Sequence, residues 1–325
     1  MDSFWDSLPK PFFVLAPLAN VTDAAFRRLI AKYSKPGGPQ VMWTEFVSAD
    51  GLALANEEGK RKLMCDLLYS EAERPIVAQF FTATPEHMEK AAALAQELGF
   101  DGVDINMGCP DKTIEKQGAG AKLILNPELA VELIAAAKRG APNLPVSVKT
   151  RLGYNKDILE EWLPKLLAAE PAALTLHART RKEMSKVAAH WDRVKRAVEI
   201  RNELGSKTLI IGNGDALDMD DAKKKAAESG ADGVMLGRAI FGRPWLFATA
   251  PENSPSLEVR LRIAIEHTKL FEELLGDIKN FAIMKKHFKA YVEGFDGAKD
   301  LRVQLMDAKN ADEVESLIEN FLAAR

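Results

Sequence analysis

Residues 208–238, TLIIGNGDALDMDDAKKKAAESGADGVMLGR, contain the pattern that decides the fold. An apolar run at 208–212 is followed by a helix-like segment behind Asp218 and the acidic pair Asp220-Asp221, and a second apolar run follows at 233–236. An Asp ahead of an acidic first turn is a helix start signal. Continuous apolar runs on both sides of a helix predict a strand–helix–strand unit whose strands are parallel and buried on both faces.

The same alternation begins near the start of the chain and continues almost to residue 250, with further helix starts at Thr22, Thr84 and Asn126. The predicted strands are 12–16, 41–46, 76–80, 102–105, 146–149, 173–177, 208–212 and 233–236. Eight parallel βα units in about 250 residues predict an α/β fold, the (β/α)8 TIM barrel. A doubly wound sheet is the alternative, but it calls for a glycine-rich fingerprint where this chain has Pro17-Leu18-Ala19-Asn20.

The strand pattern stops at a polar, proline-bounded connector, PENSPS at residues 251–256. Apolar residues recur at helical spacing beyond it, in segments 257–275, 281–292, 298–306 and 311–322. These segments predict a small C-terminal helical bundle beside the barrel. We therefore divide the chain into a barrel domain at 1–250, a linker at 251–256 and a helical domain at 257–325.

Composition limits the functional class. The chain has 325 residues, 47% of them hydrophobic and 28% charged, as in an ordinary globular protein. Its two cysteines, Cys65 and Cys109, and an N-terminus without signal-peptide features predict a cytoplasmic protein without disulfides. No apolar run has the length of a membrane span. A formal charge of -3 argues against coating nucleic acid by bulk charge and leaves room for a local basic face.

Polar residues lie at or just after the ends of the predicted strands, where the active site of a barrel forms. They are Gln79, Asn106, Cys109, Lys149, Arg151, His177, Arg179, Asn213 and Arg238. For any one of them the alternative is a strand end that reaches water. The complete set at one rim favours a functional site.

Residues 101–110, DGVDINMGCP, predict a strand that ends in an irregular turn at Gly108 and Pro110. Cys109 should therefore lie on a loop, where its thiol is available for chemistry. The alternative is a small buried residue near a turn.

Three features favour a flavin over other cofactors. Glycines in 211–215 and 235–238 lie in loops seven and eight, a frequent phosphate site of this fold. Lys149 ends an apolar strand and needs an anionic partner there. A Schiff-base lysine remains the alternative for Lys149, but a flavin would also use Cys109 and the phosphate loops. The five histidines are scattered without ligand spacing, so we predict no metal site.

Motifs along nearly the whole chain resemble the tRNA-dihydrouridine synthases. The matching elements are Ala16-Pro17 with Val21-Thr22-Asp23, Asp104-Ile105-Asn106-Met107-Gly108-Cys109-Pro110, Gly118-Ala119-Gly120, Val148-Lys149-Thr150-Arg151-Leu152-Gly153, His177-Ala178-Arg179-Thr180-Arg181, Gly212-Asn213-Gly214-Asp215 and Gly237-Arg238. Near the C-terminus, Lys286-His287-Phe288 with Tyr291 is similar to the tRNA-binding helical domain of bacterial members.

The resemblance implies an FMN-dependent enzyme that uses NADPH to reduce the C5–C6 double bond of a uridine in tRNA. Reduced FMN would give a hydride to C6, and Cys109 would give the proton to C5 as general acid. Its thiol would have a pKa near neutrality once tuned by cations and would be protonated at rest. The residues implied to hold FMN are Pro17, Gln79, Lys149, His177, Asn213, Gly214, Gly237 and Arg238. Those expected to face the flipped uracil or the tRNA are Asn106, Arg151, Arg179, Arg181, Lys285, Lys286 and Lys289. We expect a monomer.

Two departures from the family pattern indicate a divergent member. Ala178 replaces the usual Gly, and residues 183–191, EMSKVAAHW, replace the usual Tyr, Gly and Ala-Asp-Trp pattern of a loop on the substrate side. The target uridine is left open. Two competing hypotheses remain: a dihydroorotate-type flavin dehydrogenase acting on a free pyrimidine, and a non-catalytic tRNA-binding barrel, which would have no use for Cys109.

Overall fold

A computed structural model describes residues 3–248 and 255–325 of the chain. Its strands are β1 (Phe12–Leu15), β2 (Met42–Ser48), β3 (Ile76–Phe81), β4 (Gly102–Met107), β5 (Val146–Arg151), β6 (Ala173–His177), β7 (Leu209–Asn213) and β8 (Gly233–Leu236). They form one parallel sheet in which β2 to β8 pair in sequence order and β1 pairs with β8. Backbone hydrogen bonds from Leu15 to Val41 (3.1 Å) and from Gln40 to Phe13 (2.9 Å) close the ring ahead of β2. The predicted TIM barrel is confirmed.

All eight predicted strands are present, and β2, β3, β4, β5 and β7 extend beyond their predicted ends. The β4–β5 ladder continues until Asn106 lies opposite Lys149 and Met107 opposite Thr150. Asn106 and Arg151 are therefore strand residues and not loop residues. Backbone pairing fixes the positions of these polar side chains more firmly than a loop would.

Within residues 3–248, nine α-helices accompany the strands. They are α1 (Ala24–Ser34), α2 (Ala49–Leu54), α3 (Glu57–Cys65), α4 (Pro85–Glu97), α5 (Lys112–Lys116), α6 (Pro127–Gly140), α7 (Leu159–Ala168), α8 (Trp191–Glu203) and α9 (Met219–Ser229). The start predicted at Thr22 is one residue early, because Asp23 accepts from the Phe26 N–H (3.0 Å) while the Thr22 hydroxyl accepts from Leu18. Asn126 and Asp218 cap α6 and α9 as predicted.

The C-terminal region is helical, as predicted. It comprises α10 (Leu257–Leu275), a 3-10 turn at Phe281–Met284, α11 (Lys285–Tyr291), α12 (Ala298–Asp307) and α13 (Ala311–Ala323). The helix predicted at 281–292 is thus split into a 3-10 turn and a shorter α-helix. Most of the predicted linker, residues 251–254, lies outside the described residues, so the domain division stays a prediction. Across 3–248 and 255–325, no helix has the length and apolar character needed to cross a membrane.

The helical bundle is attached to the barrel through packing and charge. Ala25 of α1 and Cys65 of α3 belong to the apolar core of the bundle. Lys279, which follows α10, binds Glu45 of β2 and Asp66 (2.6 Å), and its side chain is only 10% exposed. Burial opposes the charge, but the two carboxylates outweigh it and raise the pKa of Lys279. This contact places the bundle beside the barrel with a defined orientation.

Candidate active site at the carboxyl ends of the strands

A cavity of about 760 Å³ opens at the carboxyl ends of the strands. Its volume lies within the range of about 300–1,000 Å³ that is usual for cofactor sites. The sequence-predicted residues that line it are Pro17, Asn106, Cys109, Lys149, Arg151, His177, Arg179, Asn213, Gly214, Gly237 and Arg238. Residues from four strands, β4 to β7, and from the loops after β1, β4, β6, β7 and β8 therefore converge on one site, as the barrel geometry requires.

The remaining predicted residues lie elsewhere. Gln79 is fully buried inside the barrel. Arg181 forms a two-pronged ion pair with Glu115 of α5. Lys286 and Lys289 line a second cavity of about 660 Å³ between the barrel and the bundle, and Lys285 lies on the same helix outside that cavity. The structure thus separates the predicted set into a barrel-mouth group, an internal residue and a basic helix.

The loop after β4 presents Cys109 at the cavity, half-buried, in agreement with the loop prediction. The Cys109 N–H donates to Asn106 Oδ1 (2.9 Å), and the Cys109 carbonyl accepts from the Ala121 N–H (2.9 Å). Gly120 has φ +61°, and a Cβ there would lie 2.7 Å from the Cys109 oxygen. Only glycine allows this close backbone approach. The loop that carries the thiol is therefore anchored on both sides.

Burial raises the pKa of the Cys109 thiol above its ordinary value. The Asp111 N–H and the cations Arg151 and Lys149 favour the thiolate, but they offset the effect of burial only in part. The expectation that cations tune this pKa toward neutrality is therefore wrong. Desolvation disfavours the charged form of a buried group more than these partners stabilise it. Cys109 is a protonated thiol at neutral pH, suited to donate a proton.

Lys149 of β5 presents its ammonium group at the cavity and donates to Asn213 Oδ1 (3.2 Å). The Asn213 amide is fixed in turn because its Nδ2 donates to the Met235 carbonyl (2.8 Å). Burial, and then the charge of Arg151, lower the pKa of Lys149 to about 8. An ammonium group with one neutral acceptor in a desolvated position favours an anionic ligand.

His177 ends β6 and is neutral at physiological pH, because burial and surrounding cations hold its pKa far below its ordinary value. The contributing cations are Lys149, Arg151, Arg179 and Arg238. Nη1 of Arg179 lies 3.2 Å from Nε2 of His177. Since a guanidinium group can only donate, Nε2 must be the acceptor and Nδ1 carries the proton. His177 is therefore a neutral side chain among cations.

Asp215 was missed from the sequence, although it organises the cations at the cavity rim. Its carboxylate binds Arg179 and Arg238 and accepts from the Ala189 N–H (2.9 Å). Its backbone is left-handed, with φ +50°. An acidic residue directly after Asn213-Gly214 was the available signal, because Asp tolerates this conformation in tight turns. The other unpredicted lining residues include Leu18, Phe46, Ser185 and Arg243.

Arg151 connects two loops of the site. Its Nε donates to the Gly108 carbonyl (2.7 Å), and its Nη1 donates to the carbonyls of Thr180 (3.2 Å) and Met184 (3.3 Å). Burial lowers the pKa of Arg151 to about 10, which still leaves the guanidinium charged at neutral pH. Arg151 therefore joins the Cys109 loop to the loop after β6.

The loop at 183–191 is tied to the site mainly by its backbone. The Val187 carbonyl accepts from Arg179 Nε (2.7 Å), and Ser185 lines the cavity. The side chains of Met184 and Val187 are 38% and 41% exposed. This loop supplies an exposed border close to the cavity, in which Ser185 and Lys186 lie between these two apolar side chains. Within the described residues, no three His, Cys, Asp or Glu side chains form a group that could hold a metal ion.

Comparisons with known proteins identify the family of the chain. The family model Dihydrouridine synthase (Dus) matches residues 14–324. The chain is 42% identical over 322 residues to a Bacillus subtilis (strain 168) protein named probable tRNA-dihydrouridine synthase 2. The matched region covers 98% of this chain and 97% of that protein. It is 40% identical over 324 residues to a Staphylococcus aureus (strain COL) protein named probable tRNA-dihydrouridine synthase. That match covers 99% of this chain and 96% of the relative.

Among solved structures, TcOYE with pHBA matches at a TM-score of 0.51 and 13% identity, over 75% of this chain and 89% of that chain. That likeness shows the barrel fold alone. The family match spans both the barrel and the C-terminal helices, and it confirms the resemblance seen in the motifs. The chain belongs to the dihydrouridine synthase family, a family of oxidoreductases.

Proposed function

We propose that this protein reduces the C5–C6 double bond of a uridine in tRNA, with FMN as its bound cofactor and NADPH as the reductant. Family membership and the names of its relatives support the reaction class. The observation that carries the proposal is the excess of positive charge around one cavity that also holds a protonated thiol. The cationic residues that line the cavity are Lys149, Arg151, Arg179, Arg238 and Arg243, and the acidic ones are Asp111 and Asp215.

The cavity fits FMN in charge and in shape. An anionic phosphate would offset the cations near loops seven and eight, where Gly214 and Gly237 expose backbone. A Cβ at Gly237 would find its nearest neighbour, Ala16, at 3.7 Å, so packing within the protein does not require glycine there. A ligand that approaches the backbone closely at position 237 would explain why glycine is present there. Lys149 would then stabilise negative charge at the edge of the flavin ring.

When bound and reduced, FMN supplies a hydride to C6 of the uracil ring. Cys109 holds the proton that C5 requires, since burial keeps its thiol protonated at neutral pH. Asn106 Oδ1 accepts from the N–H groups of Gly108 (3.2 Å) and Cys109 (2.9 Å) and fixes the loop that presents the thiol. His177, neutral and protonated on Nδ1, can donate one hydrogen bond to a ligand.

Basic side chains continue from the barrel mouth to the helical bundle and support RNA as the substrate. The second cavity shares Arg238 and Arg243 with the first and adds Arg260, Lys286 and Lys289, with Glu293 as its acidic member. Phosphate contacts from such side chains supply most of the affinity in nucleic-acid complexes. A base inside folded tRNA must leave its stack to reach a cavity at a barrel mouth. The basic track would hold the tRNA while one nucleotide enters.

The test is dihydrouridine formation, measured by mass spectrometry of digested tRNA from cells that lack this modification, after incubation with the protein and NADPH. Cys109→Ala should retain flavin and tRNA and lose activity by a factor of about 10²–10⁴. Cys65→Ala is the matched control, because Cys65 is buried on α3 away from the cavity. A Cys109→Ala enzyme at full speed would refute the general-acid role. A flavin-loaded protein that reduces orotate and leaves tRNA unchanged would favour the free-pyrimidine alternative.

A further inference from the structure

A chain of polar side chains runs inside the barrel beneath the Cys109 loop. Ser147 Oγ (2.5 Å) and Gln79 Nε2 (2.6 Å) both donate to the carboxylate of Asp104. Gln79 Oε1 accepts from Asn106 Nδ2 (3.1 Å), and Asn106 Oδ1 accepts from the Cys109 N–H (2.9 Å). Every side chain in this relay is buried, and Asp104 and Gln79 are 0% exposed.

The two ends of the relay determine its direction. An ionised carboxylate only accepts hydrogen bonds, so Gln79 must turn its amide nitrogen toward Asp104. The Gln79 oxygen then faces Asn106, so the amide nitrogen of Asn106 must donate to it. The Asn106 oxygen is left for the N–H group of Cys109, which can only donate. A flipped amide at either position would bring two donors or two acceptors together in a buried site, at a high cost.

Asp104 has a reason to occupy this costly position. Burial raises its pKa to about 6, while Ser147, Gln79 and then Lys149 favour the ionised form. The carboxylate is therefore ionised at neutral pH, as the relay requires. Its hydrogen bonds are charge-assisted and stronger than neutral ones. Between the buried apolar residues Val103 and Ile105, a carboxylate is costly unless its hydrogen bonds serve a purpose.

We propose that Asp104 is a positioning residue for Cys109: acting through Gln79 and Asn106, it holds the thiol-bearing loop in the geometry from which the proton is donated. Only the expected effect of Asp104 on catalysis rests on the proposed function. The relay itself is a property of the protein alone. It assigns a role to a buried acidic residue that touches neither the cavity nor the substrate.

Hydrogen exchange at the Cys109 backbone N–H tests the relay in the purified protein without tRNA. Asp104→Leu removes the acceptor, and we expect exchange at Cys109 to become about tenfold faster or more. Asp104→Asn should restore protection, because its oxygen can accept from Gln79 while its nitrogen donates to Ser147. Protection unchanged in Asp104→Leu, or lost equally in Asp104→Asn, would overturn the proposal.

Asp232→Leu is the matched control. Asp232 is also a buried carboxylate beside a strand, but it accepts from the Ile210 N–H (2.8 Å) at the opposite end of the barrel. Equal acceleration at Cys109 in this variant would mean general destabilisation and would refute the relay. If Asp104→Leu does not fold, Gln79→Met cuts the same chain one link further on and should also expose the Cys109 N–H. Full protection in Gln79→Met would contradict the proposal.

The consequence in catalysis is tested separately in the two half-reactions. Asp104→Leu should slow oxidation of the pre-reduced flavin by tRNA by about tenfold or more and leave the reduction of the flavin by NADPH at its normal rate. A purely structural defect would slow both steps alike, and that result would refute the positioning role. If the wild-type protein forms no dihydrouridine, the proposed function fails, whereas the exchange experiment still decides whether Asp104 orders the Cys109 loop.

Discussion

Replacing Lys149 by Met should stabilise the flavin-free protein and at the same time weaken its hold on the cofactor. Burial and the charge of Arg151 lower the pKa of Lys149 from 10.5 to about 8. Each unit of pKa corresponds to about 1.4 kcal/mol, so the charged ammonium group opposes folding by about 3 kcal/mol. Its hydrogen bond to Asn213 stabilises the folded protein by about 1 kcal/mol. Lys149→Met should therefore raise the free energy of unfolding by about 2 kcal/mol at pH 7.

The same effect has a defined pH dependence. Below pH 8 both the folded and the unfolded chain bind the Lys149 proton, so the full penalty is present. Between about pH 8 and 10.5 the unfolded chain binds more protons than the folded chain, and wild-type stability rises with pH. The advantage of Lys149→Met should therefore shrink across that interval.

Urea unfolding of the flavin-free proteins at pH 7 and pH 10, with FMN affinity measured by fluorescence titration, provides the assay. Lys195→Met is the control, because Lys195 is exposed on α8. A Lys149→Met protein that is no more stable than wild type at pH 7, or whose advantage does not change with pH, would refute the electrostatic reasoning. Unchanged FMN affinity would refute the cofactor role of Lys149.

Three further predictions follow from the charges and contacts. Lys279→Met leaves two largely buried carboxylates unpaired and should lower the free energy of unfolding by about 3–5 kcal/mol in urea titrations; a loss below about 1 kcal/mol would show that this contact does not hold the bundle. Replacing Lys285, Lys286 and Lys289 by Ala should weaken tRNA binding and flatten its salt dependence by about one unit per lost phosphate contact, and unchanged filter binding would count against the basic track. Alkylation of Cys109 by iodoacetamide should reach its midpoint at a higher pH than that of free cysteine, and a midpoint below it would contradict the protonated thiol.

The barrel could be predicted from the sequence because its determinants are local. A parallel strand buried on both faces is a continuous apolar run wherever it occurs, as in 173–177 and 233–236, whose predicted ends coincide with the observed ones. Helix starts such as Asn126 and Asp218 depend on a side chain and an N–H group three residues away. The helix start predicted at Thr22 was wrong because the Thr22 hydroxyl accepts from the Leu18 N–H, a contact made within the turn before the helix.

The cavity group was predictable for a geometric reason. All strands of a barrel point the same way, so residues that follow different strands meet at one end. Lys149 and Asn213, which are 64 positions apart, come within hydrogen-bond distance because each lies near the carboxyl end of its strand at that rim. Gln79 satisfies the same rule in sequence, yet it lies lower in the barrel and contacts the site through Asn106.

The sequence by itself determined the eight-stranded barrel, the helical C-terminus, the family and the residue types at the strand ends, since these depend on periodicity and on motifs read along the chain. Only the tertiary structure decided how those residues are charged and paired. Arg181 is engaged by Glu115, Asp215 joins two arginines, and Lys279 binds Glu45 across 234 positions. The Cys109 thiol stays protonated because burial outweighs nearby cations. Desolvation and ion pairing depend on which distant segments pack around a group, and that information exists only once the chain has folded.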